Sequence, residues 1–154
     1  AMSDYLENKL IDFLFRAQAL GITGATAAAG TGPSALYVGL YTANPTDTAG
    51  GTEVSGGSYA RVLVTSALGA WDNTQAASST AVSSGTGGTT RNQSAITFPA
   101  PTANWGTVTG MALFDAASGG NMLIWSALTV SKTVNNGDAA PSFAANALTF
   151  QIDN

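Results

Sequence analysis

The chain has 154 residues and a mass of 15.4 kDa, the size of one domain and enough to bury about 68–70% of its unfolded surface. It contains no cysteine and no histidine, which excludes disulfide staples, Cys-ligated metals, thiol nucleophiles and His-based acid–base chemistry. Only 9% of residues are charged, against about 25% in an ordinary domain, so an active site built from ionisable groups has little material. The chain reads as a non-enzymatic binding or structural domain that needs no cofactor and no metal.

The net charge is −4, and Lys9, Arg16, Arg61, Arg91 and Lys132 are scattered singly. Nucleic-acid partners, which require clustered Lys and Arg to displace counterions, are therefore not expected. No apolar run approaches the roughly 20 residues that span a bilayer, so no membrane insertion is expected. No charged n-region with a cleavage site precedes the first helix, and Ala1-Met2 reads as an expression remnant ahead of a start at Met2. A neutral surface of small Ala, Thr, Ser and Gly repels itself weakly, which suits dense symmetric packing and also suits a robust extracellular module.

Residues 3–20 are the one clear helix. Leu6, Leu10, Phe13, Leu14 and Ala17 share one face at helical spacing, and Ile11 and Phe15 widen the apolar surface. Asp4 and Glu7 resemble a capping box and suit the positive end of the helix dipole. Asp12 and Arg16 form an i, i+4 pair, and Gly21 is placed to end the helix in the left-handed conformation. So greasy a helix covers either the domain's own sheet or a neighbouring subunit. In the second case Leu6, Leu10, Phe13 and Leu14 are the assembly interface.

Residues 21–34 form a small, flexible linker closed by Gly32-Pro33. The period then changes to two. Leu36–Tyr41 reads as a strand ended by Asn44-Pro45, and Tyr59–Thr65 as a second. Gly69–Gln93 is rich in Ser, Thr, Gly and Ala, and a structureless loop beyond about 12–15 residues is unusual in a compact domain. An irregular edge strand near Ala76–Ser83 or a functional excursion is expected there. Ala95–Phe98, Trp105–Phe114 and Met122–Leu128 follow as strands, the last two as a hairpin. Val130–Val134 continues or bends the last of them. Asn135-Asn136-Gly137-Asp138 is a strong turn signal, and Leu148–Ile152 returns as a closing strand. The elements indicate a mainly β fold, an antiparallel β-sandwich of jelly-roll type with one N-terminal amphipathic helix, a single domain over 1–154 whose sandwich covers 35–154.

Catalytic motifs are lacking. The carboxylates Asp47, Glu53, Asp72, Asp115, Asp138 and Asp153 fall at turns or termini, and no Asp-x-Asp-x-Asp-Gly pattern marks a calcium loop. The stretches Gly30-Thr31-Gly32 and Gly85-Thr86-Gly87-Gly88 lack the Gly-Lys-Ser/Thr of a phosphate cradle. Asn92-Gln93-Ser94 fits the glycosylation pattern. Trp71 stands apart from the strand aromatics. It opens the polar segment beside Asp72 and Asn73, where it either plugs the sandwich edge or an interface, or stacks on a sugar whose hydroxyls Asp72 and Asn73 bind. Tyr41 and Tyr59 are secondary candidates for the same role.

Several segments resemble a group of short tailed-bacteriophage structural proteins, commonly labelled tail-fibre-like. They are Leu10-Ile11-Asp12-Phe13-Leu14-Phe15-Arg16, Leu36 to Pro45, Gly56-Gly57-Ser58-Tyr59-Ala60-Arg61 and Thr97-Phe98-Pro99. Asn104-Trp105-Gly106-Thr107-Val108, Phe114 to Asn121 and Lys132 to Asp138 complete the set. The family often has Gly where Ala17 stands, and Ala there is expected to strengthen the helix. Gly69–Gln93 is the least family-like part. The resemblance implies a virion component made in the bacterial host cytoplasm. One compact domain with no shaft suits a tail-fibre-like or a capsid-decoration role, as a homo-oligomer (trimer or dimer) joined to other virion proteins. A carbohydrate-binding module that recognises a host-surface glycan through Trp71, Asp72 and Asn73 is the alternative.

Overall fold

A computed structural model describes residues 2–21, 32–47, 50–72 and 79–152. It is mainly β, with antiparallel sheets and one N-terminal helix, as the sequence pattern predicts. The elements are α1 (Asp4–Arg16), β1 (Ala35–Ala43), β2 (Thr52–Glu53), β3 (Val62–Thr65), β4 (Thr89–Arg91) and β5 (Ile96–Thr97), then β6 (Gly106–Phe114), β7 (Met122–Val134), β8 (Ser142–Phe143) and β9 (Thr149–Gln151). Contacts gather into two compact units. The first comprises Ala1–Ala35, Thr65–Ala95 and Phe143–Asn154, and the second Leu36–Val64 and Ile96–Ser142. The helix therefore shares a unit with 65–95 and the closing segment, where the sequence pattern predicts one continuous sandwich over 35–154.

In the first unit β4 and β9 pair antiparallel, with Thr90 opposite Phe150. Ile11, Phe15 and Trp71 are fully buried there, and the Phe15 ring lies 4.9 Å from Trp71 and 5.0 Å from Phe150. Aromatic pairs at such separations add to what their burial alone contributes. The Asn92 side chain donates to the Ser94 and Ala144 carbonyls and accepts from Leu148 N–H. At 1% exposure it braces this turn, and it is not an accessible glycan acceptor.

The helix ends four residues short of the predicted boundary, at Arg16. Ala17 takes the left-handed conformation at φ 55, and Gln18 N–H bonds Asp12 O at 2.9 Å. Ala17 thus terminates the helix where it was expected to strengthen it. A Cβ in this region costs about 1–2 kcal/mol, so glycine is the residue the geometry favours. At the other end Ser3 is the N-cap without a side-chain bond, and its carbonyl accepts Leu6 and Glu7 N–H. The expected Asp4–Glu7 capping box is replaced by two acids in the first turn.

In the second unit the sheet order is β2-β1-β6-β7, with β3 also paired to β1. Val38 lies opposite Leu113 and Leu40 opposite Met111. All four are buried, and so are Tyr41, Ala112 and Phe114 on the other face, where Tyr37, Met122 and Trp125 pack on them, so both faces of this sheet carry core. The alternate face sets Tyr37 opposite Phe114 and Gly39 opposite Ala112. Gly39 is required because a Cβ would stand 2.9 Å from Glu53 Oε1 and 3.0 Å from the Phe114 ring. The β6–β7 hairpin forms as predicted, and Val130–Val134 does continue the strand, through a wide bulge. Gly110 faces Ala127 and Val108 faces Lys132, so Thr109 alone opposes Leu128–Ser131, leaving Val130 78% exposed. The short strands β2, β4 and β8 are additions to the predicted set. The proposed edge strand near Ala76–Ser83 falls partly outside the described residues, and its described part, 79–83, is not strand.

Candidate assembly surface

Helix α1 is oriented unexpectedly. Its buried residues are Glu7, Asn8, Ile11, Asp12, Phe15 and Arg16, whereas Leu6, Leu10, Phe13 and Leu14 are only half-buried. The inward face joins the apolar Ile11 and Phe15 to four polar residues, and the leucine stripe beside it is only partly covered.

The cause is a clamp formed by the helix pair Asp12–Arg16. Arg16, with no exposed surface, donates to Asp12 Oδ1 at 2.6 Å and to the Ser79 and Ala81 carbonyls at 2.7 Å each. Asp12 accepts the Ser83 N–H at 2.7 Å and the Ser83 hydroxyl at 2.6 Å. One turn earlier, Asn8 Nδ2 bridges the Asp4 and Gly85 carbonyls. Burying an ion pair carries a desolvation penalty that only good geometry and further hydrogen bonds repay. Here those bonds come from loop 79–85, which has no strand or helix of its own. The helix's polar groups thus hold a loop.

The sugar-stacking expectation does not survive at Trp71. The indole is 0% exposed, packs on Phe15 and Phe150 and donates Nε1–H to Thr65 O at 3.2 Å. Asp72, 3% exposed, receives Arg91 Nε at 2.7 Å. Both residues brace the first unit, which is the edge-plugging alternative. Asn73 lies outside the described residues. The secondary candidates are likewise structural. Tyr41 is buried, and the Tyr59 hydroxyl accepts Leu40 N–H at 2.8 Å and donates to Glu53 at 2.9 Å. Burial, with the Glu53 charge adding to it, raises the Tyr59 pKa far above the ordinary tyrosine value, against the lowering effect of the Leu40 N–H.

Sequence reasoning missed a second hub, Glu53–Arg61. The guanidinium grips the carboxylate through Nε and NH2, both at 2.8 Å. It also donates NH1 to the Ala116 and Gly119 carbonyls and stacks 3.3 Å from the Phe114 ring centroid. The Glu53 hydrogen bond is the main cause raising the Arg61 pKa. The signal available beforehand was scarcity. In a chain with five basic residues, three of them, Arg16, Arg61 and Arg91, form ion pairs within the fold. Among the described residues no group of three or more His, Cys, Asp or Glu stands where it could hold a metal ion. No described helix is long and apolar enough to cross a membrane.

No curated protein matches the chain. A family model described as podophage GP4 fiber I protein gp80 matches residues 1–151, almost the full length. The resemblance read from the scattered segments therefore extends over both units, and the chain belongs to this family of podophage fibre proteins, structural components of the short-tailed phage virion.

Proposed function

We propose that the protein is a non-enzymatic, tail-fibre-like virion component that works by assembly, with helix α1 packing through Leu6, Leu10, Phe13 and Leu14 against a second copy of the chain. The observation that carries this reading is the orientation of the helix. Its polar pair is buried on loop 79–85, while four large apolar side chains on the neighbouring face keep part of their surface in water. Fully covering that surface stabilises association by about 25 cal/mol per Å2 before the costs of docking. The low charge of the chain keeps like-charge repulsion between copies small.

The test is absolute mass by light scattering over a concentration series, for the parent chain and for Leu10→Asp. We expect a dimer or trimer for the parent and a folded monomer for the variant, with the circular dichroism spectrum unchanged. A parent chain that stays monomeric at all concentrations overturns the reading, as does an oligomer that Leu10→Asp and Phe13→Asp leave intact.

A further inference from the structure

The sequence holds a single Asn-Gly step, Asn136-Gly137, in the turn that follows β7. Both residues are exposed. Gly137 stands at φ 81 while Asn136 keeps a negative φ, the pattern of a type II turn, which requires φ > 0 at its third residue. The turn is closed by Asp138 N–H on Asn135 O at 3.1 Å and capped by Asn135 N–H on Asp138 Oδ2 at 2.8 Å. Two further bonds tie it to the segment before β6. Asn136 N–H donates to Asn104 Oδ1 at 2.8 Å, and Gly137 N–H donates to the carbonyl of Pro101 at 3.0 Å. Pro101 is itself buried, so its carbonyl is a fixed acceptor.

We propose that Asn136 is a latent deamidation site, which Pro101 and Asn104 keep closed while the turn is folded. The reaction needs water and no other reagent. The Gly137 nitrogen gives its proton to solvent base and attacks Asn136 Cγ. The N–Cγ bond forms, the Cγ–Nδ2 bond breaks, and ammonia leaves with a proton taken from solvent. Water then adds to one of the two carbonyls of the cyclic imide and opens it to aspartate or to its β-linked isomer. Glycine hinders this attack least, because it has no Cβ beside the nitrogen, and exposure admits water and base. The hydrogen bonds oppose it. The nitrogen that must become the nucleophile is the one whose proton the Pro101 carbonyl holds, and it cannot turn an electron pair to Cγ while that bond is made. The Asn104 bond fixes the preceding peptide plane and resists the rotation that the ring closure requires. Opening the turn thus permits a change that reclosing does not reverse. The product adds a negative charge near Asp138 in a chain of net charge −4, and the β-linked form lengthens the backbone within the turn. The inference stands apart from the assembly reading, because it concerns the turn after β7 and not the helix.

The test is peptide mapping by mass spectrometry of the full chain, incubated in one mildly alkaline buffer with and without enough guanidinium chloride to unfold it. Hydrogen exchange at the Gly137 amide is followed in parallel. We expect Asn136 to convert about tenfold more slowly in the folded chain, because breaking a hydrogen bond joins the barrier and about 1.36 kcal/mol is tenfold in rate. The Gly137 amide should be protected from exchange in the same chain. Asn104→Ala, at an exposed loop position, should preserve the circular dichroism spectrum and raise both Gly137 exchange and Asn136 conversion in the folded state. Three outcomes overturn the proposal: conversion equally fast in folded and unfolded chains, a Gly137 amide that exchanges as freely folded as unfolded, or a folded Asn104→Ala chain in which Asn136 converts no faster than in the parent.

Discussion

Replacing Arg16 by methionine tests whether a buried ion pair holds loop 79–85 to the helix. Methionine keeps an unbranched apolar stem in a site with no solvent exposure, so the change isolates the guanidinium. Removing one partner of a buried pair costs about 3–5 kcal/mol, because the other charge is left uncompensated. Asp12 would retain the Ser83 N–H and hydroxyl as donors, which places the expected loss near the lower bound, about 3 kcal/mol. That is a large part of the roughly 5–15 kcal/mol that stabilises a typical domain. With a urea m-value of about 1–3 kcal/mol per M, the midpoint should fall by roughly 1–3 M. The assay is urea unfolding followed by fluorescence, to which the buried Trp71 of the same unit contributes, with hydrogen exchange at the Ser83 amide as a local readout. Arg16→Lys should recover little, since one ammonium cannot span the Ser79 and Ala81 carbonyls while pairing with Asp12. Adding Asp12→Asn to Arg16→Met should recover part of the loss by removing the stranded charge. A loss below about 1 kcal/mol for Arg16→Met, typical of a solvated pair, would refute the clamp.

Ala17→Gly should stabilise the chain by about 0.5–1 kcal/mol, the relief of a left-handed Cβ less the freedom glycine adds to the unfolded state. A lower midpoint in a thermal melt would show that the Ala17 methyl contributes more than its backbone costs. Tyr59→Phe should cost about 1–2 kcal/mol at neutral pH, because Leu40 N–H and Glu53 each lose a partner. The Tyr59 pKa is raised in the fold, so its contribution is complete below the unfolded value near 10 and is lost as pH rises through the folded value. Urea midpoints at increasing alkaline pH should therefore fall less steeply for the variant, and parallel curves would contradict this. Asp115 shows the opposite sign. Hydrogen bonds from the Asn121 side chain and backbone hold its pKa below 3.8, so its bracing of the hairpin is present above that value and is lost as pH falls through the folded one. Amide exchange at Asn121, corrected for the intrinsic pH dependence, should speed up over that acidic interval and stay flat in Asp115→Asn.

The legible parts of the fold were the long strands. β1, β6 and β7 are nine, nine and thirteen residues long, and strands of that length rich in β-formers between turn signals can be read from the sequence. β2, β4 and β8, of two or three residues each, are too short to show a period and exist only because a partner strand is beside them. The helix was legible but its orientation was not. An i, i+4 Asp–Arg pair looks the same in sequence whether water or a loop covers it, and only the loop carbonyls at Ser79 and Ala81 decide which face is buried. Trp71 misled for a related reason. Its neighbours in sequence are polar, whereas its neighbours in space are Phe15 and Phe150, which lie far from it along the chain. At Ala17 helix propensity alone pointed the wrong way, because the left-handed backbone at φ 55 is set by where the chain must turn after Arg16.

The segments that carry the family resemblance prove to be those that fix turns and loops to strands. Trp105 Nε1 donates to Gly57 O, Asn136 N–H to Asn104 Oδ1, Gly137 N–H to Pro101 O, and Asn135 N–H to Asp138 Oδ2. Arg61 and Asp115 together set the β6–β7 hairpin. In the first unit the resembling segment Leu10–Arg16 contains Ile11 and Phe15 of the core and both halves of the Asp12–Arg16 clamp. What that clamp grips is loop 79–85, which has no strand or helix of its own. A segment without regular structure is thereby held as firmly as a strand would be, through bonds to helix side chains. Membership of the podophage fibre family accounts for a virion structural component. The backbone of loop 79–85 is anchored from the helix side at Ser79, Ala81, Ser83 and Gly85, and Gly85 takes a positive φ of 84 that favours glycine there.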